Sequence, residues 1–415
     1  ASPEEKVEEK LSEQTPEAPG RPASDDLHGW LALLLADSVD AEAREAIDAL
    51  EGKLRSGGQW DSLVELLLGR METAAEGSER VRVLREVARI FEEEQGDLAK
   101  AFATLLAAWR EAQGDEAITR DLERLAAAAE LWGELLPEYA QAAAAIEDAE
   151  RRAAELVRVG RLYRREADQT DHAIASFRAA RKADPRSADA LAELAGALRH
   201  VRHWRDLADT LVAHAEIVSG AERVDKLLDA ADLYETRADD ATLATTCYAA
   251  ALSADASSRA ALAGLERVYR RRELWEPLAR TLEKRLEATS GEEALVLRLD
   301  LAGLCAEQLE DSAAAIAHAR AALELDAGGT RSLGLLERLY EQAGRSEECL
   351  GIVERRAEIA SEVERLPLLL RLASEWEDRK DGRPRAIGFM EKALAIDPKS
   401  EHASRLLVRA LREEG

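Results

Sequence analysis

The sequence predicts an all-α solenoid of about ten helical hairpins, and three observations carry that prediction. The first is a repeat. Trp204, Leu207 and Leu211 return as Trp275, Leu278 and Leu282. The same pattern stands at Trp60/Leu63/Leu67, at Trp132/Leu135/Tyr139 and, without its tryptophan, at Ser346/Cys349/Val353. Successive copies lie 72, 72, 71 and 71 residues apart. A period held this steadily marks a chain that grows by stacking supersecondary units. The second observation is composition. Hydrophobic residues make up 46% of the 415, chiefly Ala and Leu, which favours helix over strand. The third is phase: the i, i+3, i+7 spacing within each copy puts its members on one helix face.

Residues 1–26 contain Pro3, Pro16, Pro19 and Pro22 and carry a net charge of −5. Such a segment buries too little apolar surface to offset its ordering entropy, so a disordered acidic tail is expected. Order is expected from Asp25-Asp26, which can cap a helix bearing Leu27, Trp30, Leu31, Leu34 and Leu35. The repeat array then runs over 27–399. Each 71–72-residue period holds two hairpins.

The first hairpin type is clearest at 150–185. Leu156, Val159, Gly160 and Tyr163 line one helix, and a turn follows at Ala167-Asp168-Gln169. Ala173, Ile174, Phe177 and Ala180 line the next, and Pro185 ends it, lacking a backbone donor and disfavouring helix before it. Phe91, Tyr163, Tyr234, Cys305 and Trp376 share one column of this type, and Ala108, Ala180, Ala251, Ala322 and Ala393 another. The second type, at 187–218, has Leu191, Leu194, Ala195 and Leu198 on its first helix and Trp204, Leu207 and Leu211 on its second. Pro277, two residues after Trp275, suits a first helical turn, so the tryptophan is placed at the helix entrance and read as core packing. The last helix, 400–415, has Ala403, Leu406, Leu407, Ala410 and Leu411 on one side and Glu401, Arg405, Arg409 and Arg412 on the other, as a cap would.

The hairpins at 79–113, 150–185, 221–256, 291–327 and 363–398 resemble tetratricopeptide repeats. The resemblance rests on Gly160, Tyr163, Ala173, Ile174, Phe177, Ala180 and Pro185, and again on Ala386, Ile387, Ala393, Leu394, Asp397 and Pro398. It implies a right-handed superhelix whose first helices line a concave groove. Two features depart from the pattern: the gap from Tyr163 to Ala173 is one residue longer than usual, and the alternate hairpins put Leu207 and His214 in the small-residue columns.

The resemblance implies that groove-facing positions hold Arg85, Arg89, Arg161, Arg164 and Arg165, with Arg120, Arg124, Arg199, Arg267, Arg270, Arg271 and Arg338 as equivalents in the alternate hairpins. Guanidinium groups bind carboxylate and phosphate bidentately, so one reading is a basic groove for an acidic or phosphorylated protein or peptide segment. The other is pairing of these arginines with acids on neighbouring helices. In the C-terminal third, Leu299, Gly303, Ala306, Leu370, Ser374 and Glu377 make the groove apolar to acidic. No Gly-rich phosphate loop, Gly-x-Ser-x-Gly or Cys-x-x-Cys occurs, so no catalytic, cofactor or metal residue is assigned, and His200, His203 and His214 lack a further ligand. The expected function is therefore a non-catalytic protein–protein interaction scaffold. The alternatives are an RNA-binding helical-repeat protein and a regulatory repeat arm of a larger protein.

The formal net charge of −26 speaks against nucleic acid and anionic membranes as partners. Cys247, Cys305 and Cys349 fall at apolar or small repeat positions, as buried free thiols would. No apolar run reaches the ~18 residues of a membrane span. No signal peptide is visible; a cytoplasmic location is expected, with the periplasm after removal of a signal as the alternative. The Ala- and Arg-rich, Lys-poor composition points to a GC-rich bacterial genome. Oligomeric state is left open.

Overall fold

The computed structural model describes residues 21–36, 40–379 and 382–414, with side chains as far as residue 410. The acidic tail lies outside the described residues up to residue 20. Its last residues are fastened down: Arg21 pairs with Asp40 and Glu42, and Trp30 Nε1 donates to the Ala23 carbonyl at 2.9 Å.

The described residues form 22 α-helices and no strand. The chain divides into two compact units, 1–197 and 198–415. The first contains α1 (Leu27–Leu35), α2 (Ala41–Ser56), α3 (Trp60–Thr73), α4 (Gly77–Arg89), α5 (Leu98–Glu111), α6 (Glu116–Ala128), α7 (Trp132–Ala144), α8 (Ala149–Arg165) and α9 (Thr170–Ala183). A π-turn, Ile90–Glu94, extends α4. The division falls within α10 (Ala188–His200). The second unit continues with α11 (Trp204–Ile217), α12 (Gly220–Thr236), α13 (Ala241–Ala254), α14 (Arg259–Arg271), α15 (Trp275–Glu287) and α16 (Glu292–Glu307). It ends with α17 (Ser312–Leu325), α18 (Thr330–Gln342), α19 (Ser346–Ile359), α20 (Glu362–Glu377), α21 (Arg383–Ile396) and α22 (Glu401–Glu414). None of the described helices is long and apolar enough to cross a membrane.

The turns repeat as strictly as the sequence does. Before each helix of the tryptophan type, a residue at positive φ closes the turn: Gly58, Glu130, Arg202, Glu273 and Gly344. The next residue donates back five positions, as from Leu131 to Ala126 at 2.8 Å and from His203 to Leu198 at 3.0 Å. This is the bond that closes a helix through a left-handed residue. In the other hairpin type Gly96, Asp168, Asp239 and Glu310 take positive φ. There the bond reaches back six positions to the column residue: Asp97 to Phe91, Gln169 to Tyr163, Asp240 to Tyr234 and Asp311 to Cys305, all at 2.8–2.9 Å. The residue that lengthens the Tyr163–Ala173 gap is absorbed in this wider turn.

The core columns follow the predicted phase. Ala108, Ala180, Ala251, Ala322 and Ala393 have no exposed surface. Leu67, Tyr139, Leu211, Leu282 and Val353 are 0–2% exposed. At Gly160 an added Cβ would lie 2.4 Å from the Phe177 ring, so close helix approach requires glycine there. Ala403 and Ala410 of α22 are fully buried, Ala410 against Ala373, Ala386 and Met390, and Arg405 and Arg409 are exposed.

Trp60, Trp132, Trp204 and Trp275 open their helices as anticipated, and Trp60 and Trp275 pack against the core, but each of the four is only half-buried. The first residue of a helix stands at the rim of the layer, where only part of the ring is covered. The Arg237 guanidinium lies 5.5 Å from the centre of the Trp204 ring. Leu207 and Leu211 hold the core instead.

Two stability outcomes follow from this geometry. Leu211→Ala should cost about 3 kcal/mol, within the range for a buried leucine, and Trp204→Ala distinctly less; equilibrium urea unfolding ranks them. Glu130 is an exposed non-glycine residue at φ 58°. Glu130→Gly should therefore raise stability by about 0.5–1 kcal/mol, since the strain it relieves exceeds the entropy that glycine adds to the unfolded chain.

Candidate partner-binding surface

The first helix of each hairpin exposes a face rich in arginine and glutamate, and the two are arranged as rungs. In the first unit Arg55 of α2 pairs with Glu86 of α4, and Arg124 of α6 grips Glu92 with both guanidinium nitrogens. Arg158 of α8 meets Glu123 of α6 at 3.0 Å, while Arg161 and Arg164 share Glu193 of α10 at 2.7 and 2.9 Å. In the second unit Arg199 faces Asp229 at 3.9 Å, Arg267 binds Glu235 at 2.9 Å and Arg270 faces Asp300 at 3.9 Å. Arg338 meets Glu307 at 3.6 Å, Arg371 meets Glu337 at 2.6 Å and Arg409 meets Glu377 at 2.7 Å. Each rung joins the first helix of one hairpin to the first helix of the next.

Some rungs reach into the core. Glu235 is 7% exposed and takes hydrogen bonds from Arg267 and from the Tyr248 hydroxyl. Burial pushes its carboxyl pKa up, but those two donors more than reverse this and hold it below the usual glutamate range. Burial likewise raises the Tyr248 hydroxyl, and Glu235 raises it further, so the phenol stays a neutral donor.

The arginines singled out from the sequence thus separate into two groups. Arg124, Arg161, Arg164, Arg199, Arg267, Arg270 and Arg338 are members of rungs, and Arg89 faces Glu93 of its own turn at 3.8 Å. Among the described residues, Arg85, Arg120, Arg165 and Arg271 have no carboxylate within ion-pair distance, and all four are exposed. The acidic half of the ladder went unread in the sequence. Its signal was there: Glu92, Glu235 and Glu377 each follow the column residue and each lie 32 residues before their arginine.

Two hollows of the first unit collect these side chains. One, of about 620 Å³, is lined by Trp60, by Arg55, Arg82, Arg85 and Arg89, and by Glu86, Glu93 and Glu94. The other, of about 820 Å³, lies among α5, α6, α7 and α8, lined by Trp109 and Tyr139, by Arg120, Arg151 and Arg158, and by Glu116, Glu123 and Glu155.

Cys247, Cys305 and Cys349 are buried and unbridged, and burial pushes the Cys247 thiol up to about 11. Among the described residues no group of three or more His, Cys, Asp or Glu side chains is placed to hold a metal. His200 and His203 are exposed, whereas His214 is 6% exposed with an unpartnered Nδ1. Burial, helped by Lys226, lowers the His214 pKa, against an opposing pull from Glu222.

The sign for His214 is definite. The unfolded chain takes up the proton more readily than the folded one, so this residue's contribution is complete above about pH 6.5 and declines as pH falls through that value. The urea midpoint of the wild type should drop between pH 7.5 and 5.5, and His214→Leu should show a shallower drop. Equal slopes for the two proteins would remove His214 from the pH response.

No protein-family model and no curated protein matches the chain. Among solved structures it is similar to YrrB, described as a TPR protein with an unusual peptide-binding site, at 21% identity over 43% of this chain and 89% of that one, with a TM-score of 0.27. It is similar to a tetratricopeptide repeat protein from Parabacteroides merdae at 14% identity, covering 80% and 98% of the two chains, with a TM-score of 0.25. It is also similar to yeast Tom70 at 16% identity, covering 94% and 85%, with a TM-score of 0.23.

Proposed function

We propose that the chain is a non-catalytic scaffold that holds a partner protein against the exposed faces of its first helices, and that the partner's contact segment is acidic. One observation carries this reading. In a chain of net charge −26, two of the four arginines of the predicted set that no carboxylate engages stand in hollows of the first unit, Arg85 in one and Arg120 in the other. An arginine already engaged by glutamate offers a partner little, because binding must first break the pair. An arginine with no carboxylate keeps its whole fork for an incoming one. A half-buried tryptophan, Trp60, borders the first hollow, and a fixed aromatic is a good anchor for a peptide backbone or side chain.

The test is fluorescence anisotropy with fluorescein-labelled hexaglutamate, and hexalysine as the control. Hexaglutamate should bind at low salt and be released near 0.5 M, where screening shortens the electrostatic reach to a few ångströms. Arg85→Ala and Arg120→Ala should each weaken binding about fivefold, the size of one exposed charge contact. Equal binding of both peptides, or no response to the arginine substitutions, would defeat the acidic-partner reading. Displacement of the peptide by random RNA at equal charge would move the reading to nucleic acid.

A further inference from the structure

The hollow among α5, α6, α7 and α8 exists because the hairpin α6/α7 departs from its copies in two places. In three copies an arginine of the second helix, Arg70, Arg285 or Arg356, reaches back 19 residues to a glutamate of the first helix, Glu51, Glu266 or Glu337. In α7 the corresponding residue is Ala142, which cannot span that distance, and the corresponding glutamate, Glu123, is taken by Arg158 of α8 instead. Three residues earlier, Tyr139 stands in the column that otherwise holds Leu67, Leu211, Leu282 and Val353. One substitution opens the space and the other puts a hydroxyl beside it.

That hydroxyl is an anomaly. Tyr139 is 1% exposed, lines the hollow, and its Oη has no hydrogen-bond partner. Its ring is fixed by Trp109, with ring centres 4.9 Å apart, and by the Arg158 guanidinium 4.9 Å from the ring centre. Burial raises the phenol pKa further above its ordinary value, so it remains protonated and can donate. A buried polar atom left unpaired costs stability, and leucine or valine fills the same place in four other copies without that cost. Packing therefore does not account for the oxygen.

The charges around it select the ligand. Arg158 already engages Glu123 at 3.0 Å and Glu155 at 2.8 Å. The lining as a whole is balanced, with Arg120, Arg151 and Arg158 against Glu116, Glu123 and Glu155, but because two of the glutamates turn to Arg158, Arg120 and Arg151 are left, among the described residues, with no carboxylate within ion-pair distance. A neutral donor beside two arginines that no carboxylate engages suits an incoming carboxylate. The volume of about 820 Å³ falls within the range of ligand pockets and admits a few residues of extended peptide.

We infer that this hollow receives an Asp or Glu side chain of the partner, with Tyr139 Oη donating to one carboxylate oxygen and Arg120 and Arg151 neutralising the charge. The inference rests on the acidic-partner reading above and adds to it the residue that recognises the carboxylate. The test uses Tyr139→Phe in the full chain, with the same labelled hexaglutamate and with thermal unfolding measured alongside. The variant should bind at least tenfold more weakly, the loss of one neutral donor to a charged acceptor, while its Tm equals or exceeds that of the wild type. Tyr139→Leu, which restores the column residue, should behave alike. Wild-type affinity in Tyr139→Phe would overturn the inference, and so would a lowered Tm, which would make the hydroxyl structural. If Arg85→Ala weakens binding and Tyr139→Phe does not, the acidic partner stands and the Tyr139 site falls. If the wild-type chain fails to bind hexaglutamate at all, both fall together.

Discussion

A side chain no larger than a methyl group occupies the contact at Ala108, Ala180, Ala251, Ala322 and Ala393, and none of the five has accessible surface. The rest of the structure depends on this closeness. Helix backbones that approach so nearly exclude water from the leucine columns beside them, and they bring the first helices of successive hairpins within side-chain reach. A larger residue at any of the five would push the helices apart and lengthen every contact built on their spacing. Gly160 makes the same demand from the other side, where even a Cβ would meet the Phe177 ring.

Close helices then decide what the charged surface can do. With 83 acidic and 57 basic residues, the chain would repel itself if its charges were spread evenly. Setting arginine on one first helix opposite glutamate on the next turns part of that repulsion into rungs. Most are half-exposed and worth little singly. Glu235, Glu337 and Glu377 differ, being under 10% exposed, and a carboxylate so placed requires its arginine. The ladder therefore acts chiefly as a selector of register: a hairpin displaced along its neighbour would leave these carboxylates buried without a cation.

The sequence made the periodic part of this legible and concealed the rest for a physical reason. Period, helix phase, the alanine column and the proline stops are properties of one chain position at a time, so they survive inspection of a string. Helix entrances at Trp60, Trp132, Trp204 and Trp275 were readable for that reason. Their burial was not, because exposure at the first residue of a helix depends on what lies across the turn. The arginines were readable as a set, yet their partners were not, since a rung is a relation between positions about 32 residues apart. Once Glu92, Glu235 and Glu377 are aligned in one column, the pairing with Arg124, Arg267 and Arg409 can be seen in the string itself.

A repeat protein supplies its own comparison, because every copy faces nearly the same packing problem. A residue that agrees with its column is explained by the column. Glu130, Arg202 and Glu273 agree in backbone with Gly58 and Gly344, and their strain is the cost of a shared turn. A residue that departs from its column, with no gain in packing, must answer to something else. In the first unit such departures fall on two adjoining hairpins. Tyr139 breaks a column of leucine and valine, Ala142 breaks a column with three arginines, and Arg164 in the next hairpin reverses a rung whose near end is glutamate at Glu92, Glu235 and Glu377. Each change exchanges a satisfied contact for an open one or turns its polarity. The second unit breaks two of these columns as well, with His214 in the place of the arginine and Ala306 in the place of the rung's glutamate. What sets the departures of the first unit apart is that Tyr139 and Ala142 fall on one helix and border one hollow, so the missing arginine and the added hydroxyl act on the same space.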